Sequence, residues 1–315
     1  MSSPILQLTT DDLVSALAEV DSVELLADEV VGQAAGGVGR PVHPGYRLTP
    51  WRGRSPAGTA AEAELVLLED LRTGTRCVLP APALFGLRTA TSAALAAREL
   101  VAPGVVTAAV LGSGLAAQAS LTLIARQLPG LSHVAMCQAG DESDKPMEPR
   151  VVDELDLAGV GWLVTDDVAE AVFGATLIVT TVAGAHWPEI GQLPRGAVLI
   201  NTTGEDLPDD LVDAVDQVYV DDLSLIERNS HRYFARTHMA GFNSESPFSG
   251  RPDGRRFRGI EADFAALLTG QHAGRTDVDH VLLVELLDAN ALDARLAGML
   301  HRAALEYGLG VPLIE

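Results

Sequence analysis

The stretch from Leu87 to Gln118, LRTATSAALAARELVAPGVVTAAVLGSGLAAQ, constrains the fold more than any other part of this chain. An Arg-Thr pair, Arg88-Thr89, opens an Ala-rich helical pattern. A short apolar run follows and ends in the turn Gly112-Ser113-Gly114-Leu115-Ala116-Ala117. Glycine at the first position permits a tight turn after a strand. Glycine at the third lets the backbone approach a bulky anion, and a small residue at the sixth lets the next helix pack on the strand. A strand, this turn and a helix in sequence read as the first βα unit of a dinucleotide-binding domain. The helix N–H groups would then face a pyrophosphate. Gly112, Ser113 and Gly114 are therefore candidate cofactor-binding residues.

The rest of the chain supports that unit on one side of Pro103-Gly104 and departs from it on the other. From Val105 onward, short apolar runs alternate with helical patterns. The predicted strands are Thr107–Leu111, His133–Cys137, Gly161–Val164, Thr176–Thr181, Ala197–Asn201 and Gln217–Val220, with helices at Ala116–Gln127 and Val168–Phe173. This rhythm predicts a doubly wound, mostly parallel sheet. Before the linker, Thr9-Thr10-Asp11-Asp12 has the polar residues of a helix start, and a second helix is expected over Val23–Ala35. Ala63–Glu69 and Thr75–Leu79, joined by a turn, read as a hairpin of an α+β layer. The segment from Asn229 to Gly259 is polar and without period, so a long surface loop is expected. Arg228, just before it, and Arg232, Arg251 and Arg255 within it are candidates for reshaping a pocket. The tail from His280 to Tyr307 reads as helical.

Composition narrows the function. A formal charge of −21, from 22 basic and 43 acidic residues, lacks the basic footprint of a nucleic-acid binder and disfavours anionic membranes. No apolar run reaches the roughly 18 residues that span a bilayer, and no secretory pattern is visible at the start, so a cytoplasmic protein is expected. Lys145 is the only lysine among the 315 residues, which excludes most lysine-based mechanisms. Cys77 and Cys137 are too few for a disulfide framework or a zinc site, and both lie in apolar patterns. His43, His186, His231, His238 and His280 show no metal-ligand spacing, so no metal is expected.

Several polar groups sit where a parallel sheet presents its ligand site, beyond the carboxyl ends of the strands. The acid that usually bonds the adenosine ribose should close the second strand, but that position is Gln138, with Asp141 and Glu142 only in the following loop. NAD and NADP are therefore not distinguished. Thr180 and Thr181 close another strand and are placed to contact the nicotinamide ribose. Asn201-Thr202-Thr203-Gly204-Glu205-Asp206 follows a third. Asp206 can serve as a general acid or base there, or as a helix cap ahead of Leu207. Arg88 carries a fixed guanidinium suited to bidentate binding of a substrate carboxylate. Asp221-Asp222, at a fourth strand end, reads as capping.

Together these segments resemble the ornithine cyclodeaminase/μ-crystallin family, along nearly the whole chain. The likeness is carried by ILQLTTDDL, LVLLEDLRTGTRCVLPA, LRTATSAALAAREL, VLGSGLAAQ, TLIVTTVAG, GAVLINTTGEDLPDDL and the closing helix with YGLG. It implies a Rossmann-type sheet inserted in an α+β substrate and dimerisation domain: residues 1–103 with 286–315 for substrate and dimer, residues 104–285 for the dinucleotide. It implies a homodimer. It makes Arg88 the carboxylate-binding, nicotinamide-proximal arginine and Arg47, or Arg40 on a poorer alignment, a second substrate-binding arginine. Leu115 and Ala116 fall at the phosphate turn, Thr180 or Thr181 at the cofactor-contacting threonine, and Asp206 at the acid–base aspartate; Thr89, Thr203 and Gly204 are further candidate cofactor-binding residues. The likeness also marks departures. No lysine lies between Arg47 and Ala63, an acid near Asp210 replaces a second lysine, and Leu287 or Asp288 stands where a serine is usual. The expected activity is a nicotinamide-dependent oxidoreductase acting on a small amino- or imino-acid substrate, by imine reduction or amine oxidation at the α-carbon. An NAD-dependent amino-acid cyclodeaminase and a non-catalytic, cofactor-dependent binding protein are the alternatives.

Overall fold

The computed structural model describes residues 5–36, 45–51, 64–104, 106–138, 146–184, 187, 190–243, 259–288 and 293–313. Packing divides the chain into two units, residues 1–91 with 290–315 and residues 92–289. The chain passes from the first to the second within one helix, ahead of Pro103-Gly104.

The first unit is built on a five-stranded sheet in the order β13-β1-β4-β3-β2. Its strands are β1 (Ile5–Gln7), β2 (Tyr46–Pro50), β3 (Leu65–Asp70), β4 (Arg76–Pro80) and β13 (Val311–Leu313). The hairpin expected between Ala63 and Leu79 is the antiparallel pair β3–β4, with Leu67 opposite Val78. Helix α1 (Thr10–Ala18) starts as its sequence requires. Asp12 N–H donates to the Thr9 hydroxyl, and Thr9 N–H donates to the Asp12 carboxylate, so two first-turn donors are satisfied reciprocally. Helix α2 (Ser22–Gly36), the first half of α3 (Ala81–Leu100) and the C-terminal α10 (Asp293–Glu306) complete the unit.

The second unit holds an eight-stranded sheet in which every pair is parallel. Its strands are β5 (Val106–Leu111), β6 (Leu131–Cys137), β7 (Gly161–Thr165), β8 (Leu177–Thr180), β9 (Val198–Asn201), β10 (Gln217–Val220), β11 (Ile260–Asp263) and β12 (Leu282–Glu285). The run β7-β6-β5-β8-β9 has the 3-2-1-4-5 order of a dinucleotide-binding sheet, with its switch point between β5 and β8, and β12, last in the chain, takes the place beside β9. Strands β8, β9, β10 and β12 are buried at every residue, as parallel strands covered on both faces must be. Helix α4 (Leu115–Gln127) follows β5 directly. It is succeeded by α5 (Pro149–Leu157), α6 (Val168–Val172), α7 (Asp209–Ala214), α8 (Tyr233–Asn243) and α9 (Phe264–Leu268). Among the described residues no helix is long and apolar enough to cross a membrane.

Two sequence expectations are corrected. The tail does not become helical at His280: residues 282–285 form β12, a central strand between β9 and β10, and the helix begins at Asp293. A short apolar run buried on both faces carries no period that separates strand from helix. The polar segment after Asn229 is not a loop throughout, because 233–243 form α8. Arg251 and Arg255 lie outside the described residues.

Candidate functional site

The register of the second sheet aligns one row of residues at its carboxyl end. Leu111 pairs with Thr180, Thr180 with Asn201, and Asn201 with Glu285. The candidate groups are the residues of this row and the turns that leave it.

At the switch point, Gly112 has φ +125°, a backbone that favours glycine, and a Cβ there would lie 2.3 Å from the Thr181 hydroxyl oxygen. Thr181 is tied to the same corner: its N–H and its hydroxyl both donate to the Leu111 carbonyl, at 2.9 and 3.1 Å. The Thr202 hydroxyl donates to the Thr180 carbonyl at 2.8 Å. Gly114 caps α4 without a side chain to bond the first-turn N–H groups, which leaves that turn suited to an anion. Gln118 steadies it from within the helix. Its amide nitrogen donates to the Ser113 carbonyl at 3.0 Å, and its oxygen accepts from Glu148 N–H at 2.7 Å. Gln138 closes β6 as expected, its N–H donating to the Thr165 carbonyl. The donor set and the glycine conformation fit a dinucleotide phosphate. Asp141, Glu142 and Lys145 lie outside the described residues, as do Arg40, His43 and His186.

The turn after β9 is organised by Asn201. Its side-chain oxygen accepts from Thr203 N–H and from the Thr203 hydroxyl, and Gly204 follows at φ +74°. Asp206 is 42% exposed and does not cap α7, whose N-cap is Pro208. Its carboxylate instead accepts from Tyr233 N–H at 2.9 Å, at the start of α8. Beside it lies a buried pairing that sequence reasoning missed. Arg232, placed in a solvated excursion by its polar surroundings, is 1% exposed and bonded to Glu285, which is 0% exposed, at 2.5 Å. Burial pushes the Glu285 carboxyl up to about 8, against the opposing pull of Arg232 and of the Asn201 amide. One signal was available: an acid closing the apolar run LLVE needs a buried partner.

In the first unit, Arg88 on α3 is buried, with its Nε 3.5 Å from the Asp293 carboxylate and its guanidinium 5.5 Å from the centre of the Phe85 ring. Thr89 beside it is half-buried. Arg47 on β2 is 60% exposed and paired with Glu69 at 3.3 Å. Both cysteines are buried, and burial raises both thiols, which makes them unreactive. Among the described residues no group of three or more His, Cys, Asp or Glu is placed to hold a metal ion.

The pattern of the ornithine cyclodeaminase/μ-crystallin family matches residues 48–287. The chain belongs to that family. A relative from Staphylococcus aureus, N-((2S)-2-amino-2-carboxyethyl)-L-glutamate dehydrogenase, is 23% identical over 253 residues, covering 79% of this chain and 70% of that protein. Among solved structures, CmnK superposes with a TM-score of 0.70 at 21% identity, covering 99% of each chain. The Thermococcus litoralis Δ1-pyrroline-2-carboxylate reductase, solved with NADH and L-proline, superposes with a TM-score of 0.66 at 14% identity, covering 98% of this chain and 100% of its own. These likenesses in structure establish the fold.

Proposed function

We propose that this chain, a nicotinamide-dependent oxidoreductase of the ornithine cyclodeaminase/μ-crystallin family, acts at the carbon–nitrogen bond of an amino-acid-like substrate that carries a carboxylate. The reaction is imine reduction or, in reverse, amine oxidation at the α-carbon. The observation that carries the reading is Asp206. It stands partly exposed beyond the β9 row that also bears the phosphate turn, with its carboxylate fixed by Tyr233 N–H. The name of the Staphylococcus aureus relative, a dehydrogenase of an N-substituted glutamate, supports the substrate class.

A bound nicotinamide would supply hydride exchange at the substrate α-carbon. Arg88 binds the substrate carboxylate, Arg47 adds a second substrate contact, and Asp206 gives or takes the proton at nitrogen. Gly112, Ser113, Gly114, Leu115 and Ala116 hold the phosphates. Thr89, Thr180, Thr181, Thr203 and Gly204 contact the remainder of the cofactor. Gln138 offers an uncharged amide to the adenosine ribose, so it neither repels a 2′-phosphate nor supplies the acid that selects NAD. Residues 1–103 with 286–315 form the substrate and dimerisation domain and residues 104–285 the cofactor domain of a cytoplasmic homodimer. Neither nucleic acid nor membrane is a partner.

The test is titration with NADH and NADPH, followed by turnover on a panel of cyclic imines and of 2-keto acids with amines. The reverse reaction is run on amino acids and N-substituted glutamates with NAD+ and NADP+. The expected result is dinucleotide binding and net change of nicotinamide absorbance with at least one substrate, lost in Arg88→Ala. Ammonia release from a diamino acid without net reduced cofactor would replace this reading by cyclodeamination. Tight cofactor binding with no turnover on either panel would overturn the catalytic reading.

A further inference from the structure

The chemistry assigned to Asp206 leaves open why the chain buries an arginine–carboxyl pair beside it. Burying a guanidinium against a carboxyl group is costly, and a well-packed apolar pair of similar volume serves stability as well or better. The bonds made by Arg232 and Glu285 point elsewhere. Arg232 Nη2 donates to Glu285 Oε2 at 2.5 Å and to the Glu205 carbonyl at 2.7 Å. Asn201 Nδ2 donates to the same two oxygens, at 2.9 and 2.8 Å. The Glu205 carbonyl belongs to the peptide that leads into Asp206, so two buried donors fix that peptide plane. Arg232 Nε lies 3.7 Å from Asp206 Oδ1, the oxygen that also accepts from the N–H of the next residue, Tyr233. The guanidinium is stacked 4.7 Å from the centre of the Phe234 ring, which limits its own movement. Among the described residues its Nε and Nη1 and the Glu285 Oε1 are buried without hydrogen-bond partners, an arrangement that stability alone does not favour.

We infer that Arg232, anchored by Glu285, is the positioning residue for Asp206, fixing the Glu205–Asp206 peptide and the Asp206 carboxylate in one orientation without touching the reacting atoms. The planar fork of arginine is what this requires, since one side chain must reach a carboxylate, a carbonyl and the neighbourhood of a second carboxylate at once. A lysine can supply the charge but not that geometry. The inference rests on the reading of Asp206 as the group that moves the proton.

The test uses the full chain in two arms. In the first, amide hydrogen exchange is followed by mass spectrometry without any ligand, in Arg232→Lys and in Glu285→Gln. Exchange across 202–207 should accelerate by about tenfold or more, while the distant strands β5 and β6 keep their protection. In the second, kcat and KM are measured for Arg232→Lys, Asp206→Asn and the double variant, with the substrate from the imine and amine panels that gives the highest turnover. Misplacement of a catalytic group costs on the order of a hundredfold in kcat, so Arg232→Lys should lose about that with little change in KM. The loss should disappear in the Asp206→Asn background, because the two residues act as a unit. Unchanged exchange at 202–207 overturns the inference, and so does an equal loss of kcat in both backgrounds, which marks Arg232 as merely structural. Full kcat in Asp206→Asn overturns the functional reading and with it the catalytic half of the inference. The exchange arm still decides separately whether Arg232 holds the turn. Should Arg232→Lys fail to fold, Glu285→Gln, which keeps the shape of the pair, takes its place in both arms and is read by the same outcomes.

Discussion

At Glu285 two demands oppose each other: burial disfavours the carboxylate, while Arg232 and Asn201 favour it. Burial prevails and raises the group to about 8. A pKa raised in the folded state means that the native chain holds the proton more tightly than the unfolded one. The stabilisation is then complete below the unfolded value of about 4.5 and is lost as pH rises to about 8. Glu285→Gln cannot ionise, so wild type should lose stability relative to the variant between about pH 5 and pH 8 in denaturant unfolding. Parallel curves for the two proteins would show that Glu285 is ionised throughout. Gly112 makes a different kind of demand. Alanine there meets both a backbone conformation closed to L residues and the Thr181 hydroxyl at 2.3 Å. Gly112→Ala should cost about 1–3 kcal/mol in stability and abolish dinucleotide binding, as measured by unfolding and by titration. Tight NADH binding by that variant would remove Gly112 from the phosphate turn.

Helix α8 shows how one element serves two purposes. Its first turn takes Asp206 as an acceptor from outside the helix, so the candidate acid–base group also holds the helix start. Asparagine keeps the acceptor oxygen and loses the ionisable group. Asp206→Asn should therefore stay within about 0.5 kcal/mol of wild type, whereas Asp206→Ala should lose about 1 kcal/mol, as caps do. Both should lose turnover, and the comparison of melting with kcat separates the roles. The same helix marks where the sequence was readable and where it was not. Strands β5, β6, β8, β9 and β10 were legible because short apolar runs alternate with helical periods, and the glycine turn was legible because each position has its own steric reason. Helix α8 was hidden by its polar, arginine-bearing surroundings, since burial of Arg232 depends on Glu285, which lies 53 residues further along the chain. Strand β12 was hidden because a strand covered on both faces has no alternation to read. The glycine turn proposed to hold the phosphates could thus be read locally, while the pairing beside Asp206 exists only through long-range contact.

On the scale of the whole molecule, charge sets how the proposed ligands arrive. The chain carries a formal charge of −21, yet a dinucleotide and a carboxylate substrate are both anions. The cations proposed to receive the substrate, Arg88 and Arg47, are local and already face Asp293 and Glu69. At low ionic strength, where the Debye length is about 30 Å at 0.01 M, an approaching anion meets the field of the entire acidic surface. At about 0.15 M the length falls to about 8 Å, so the distant charges are screened and only the near guanidinium groups act. Most enzymes with charged substrates are steered by attraction and slow as salt is added. Here the opposite is expected: kcat/KM for a dicarboxylate substrate should rise between about 0.01 and 0.15 M sodium chloride, with kcat nearly constant. A monocarboxylate should show a smaller rise, because the repulsion scales with the ligand's charge. A steady fall for both would mean that the site's own positive potential outweighs the net charge even at long range. The excess of 21 acidic groups would then have to lie away from the path of approach.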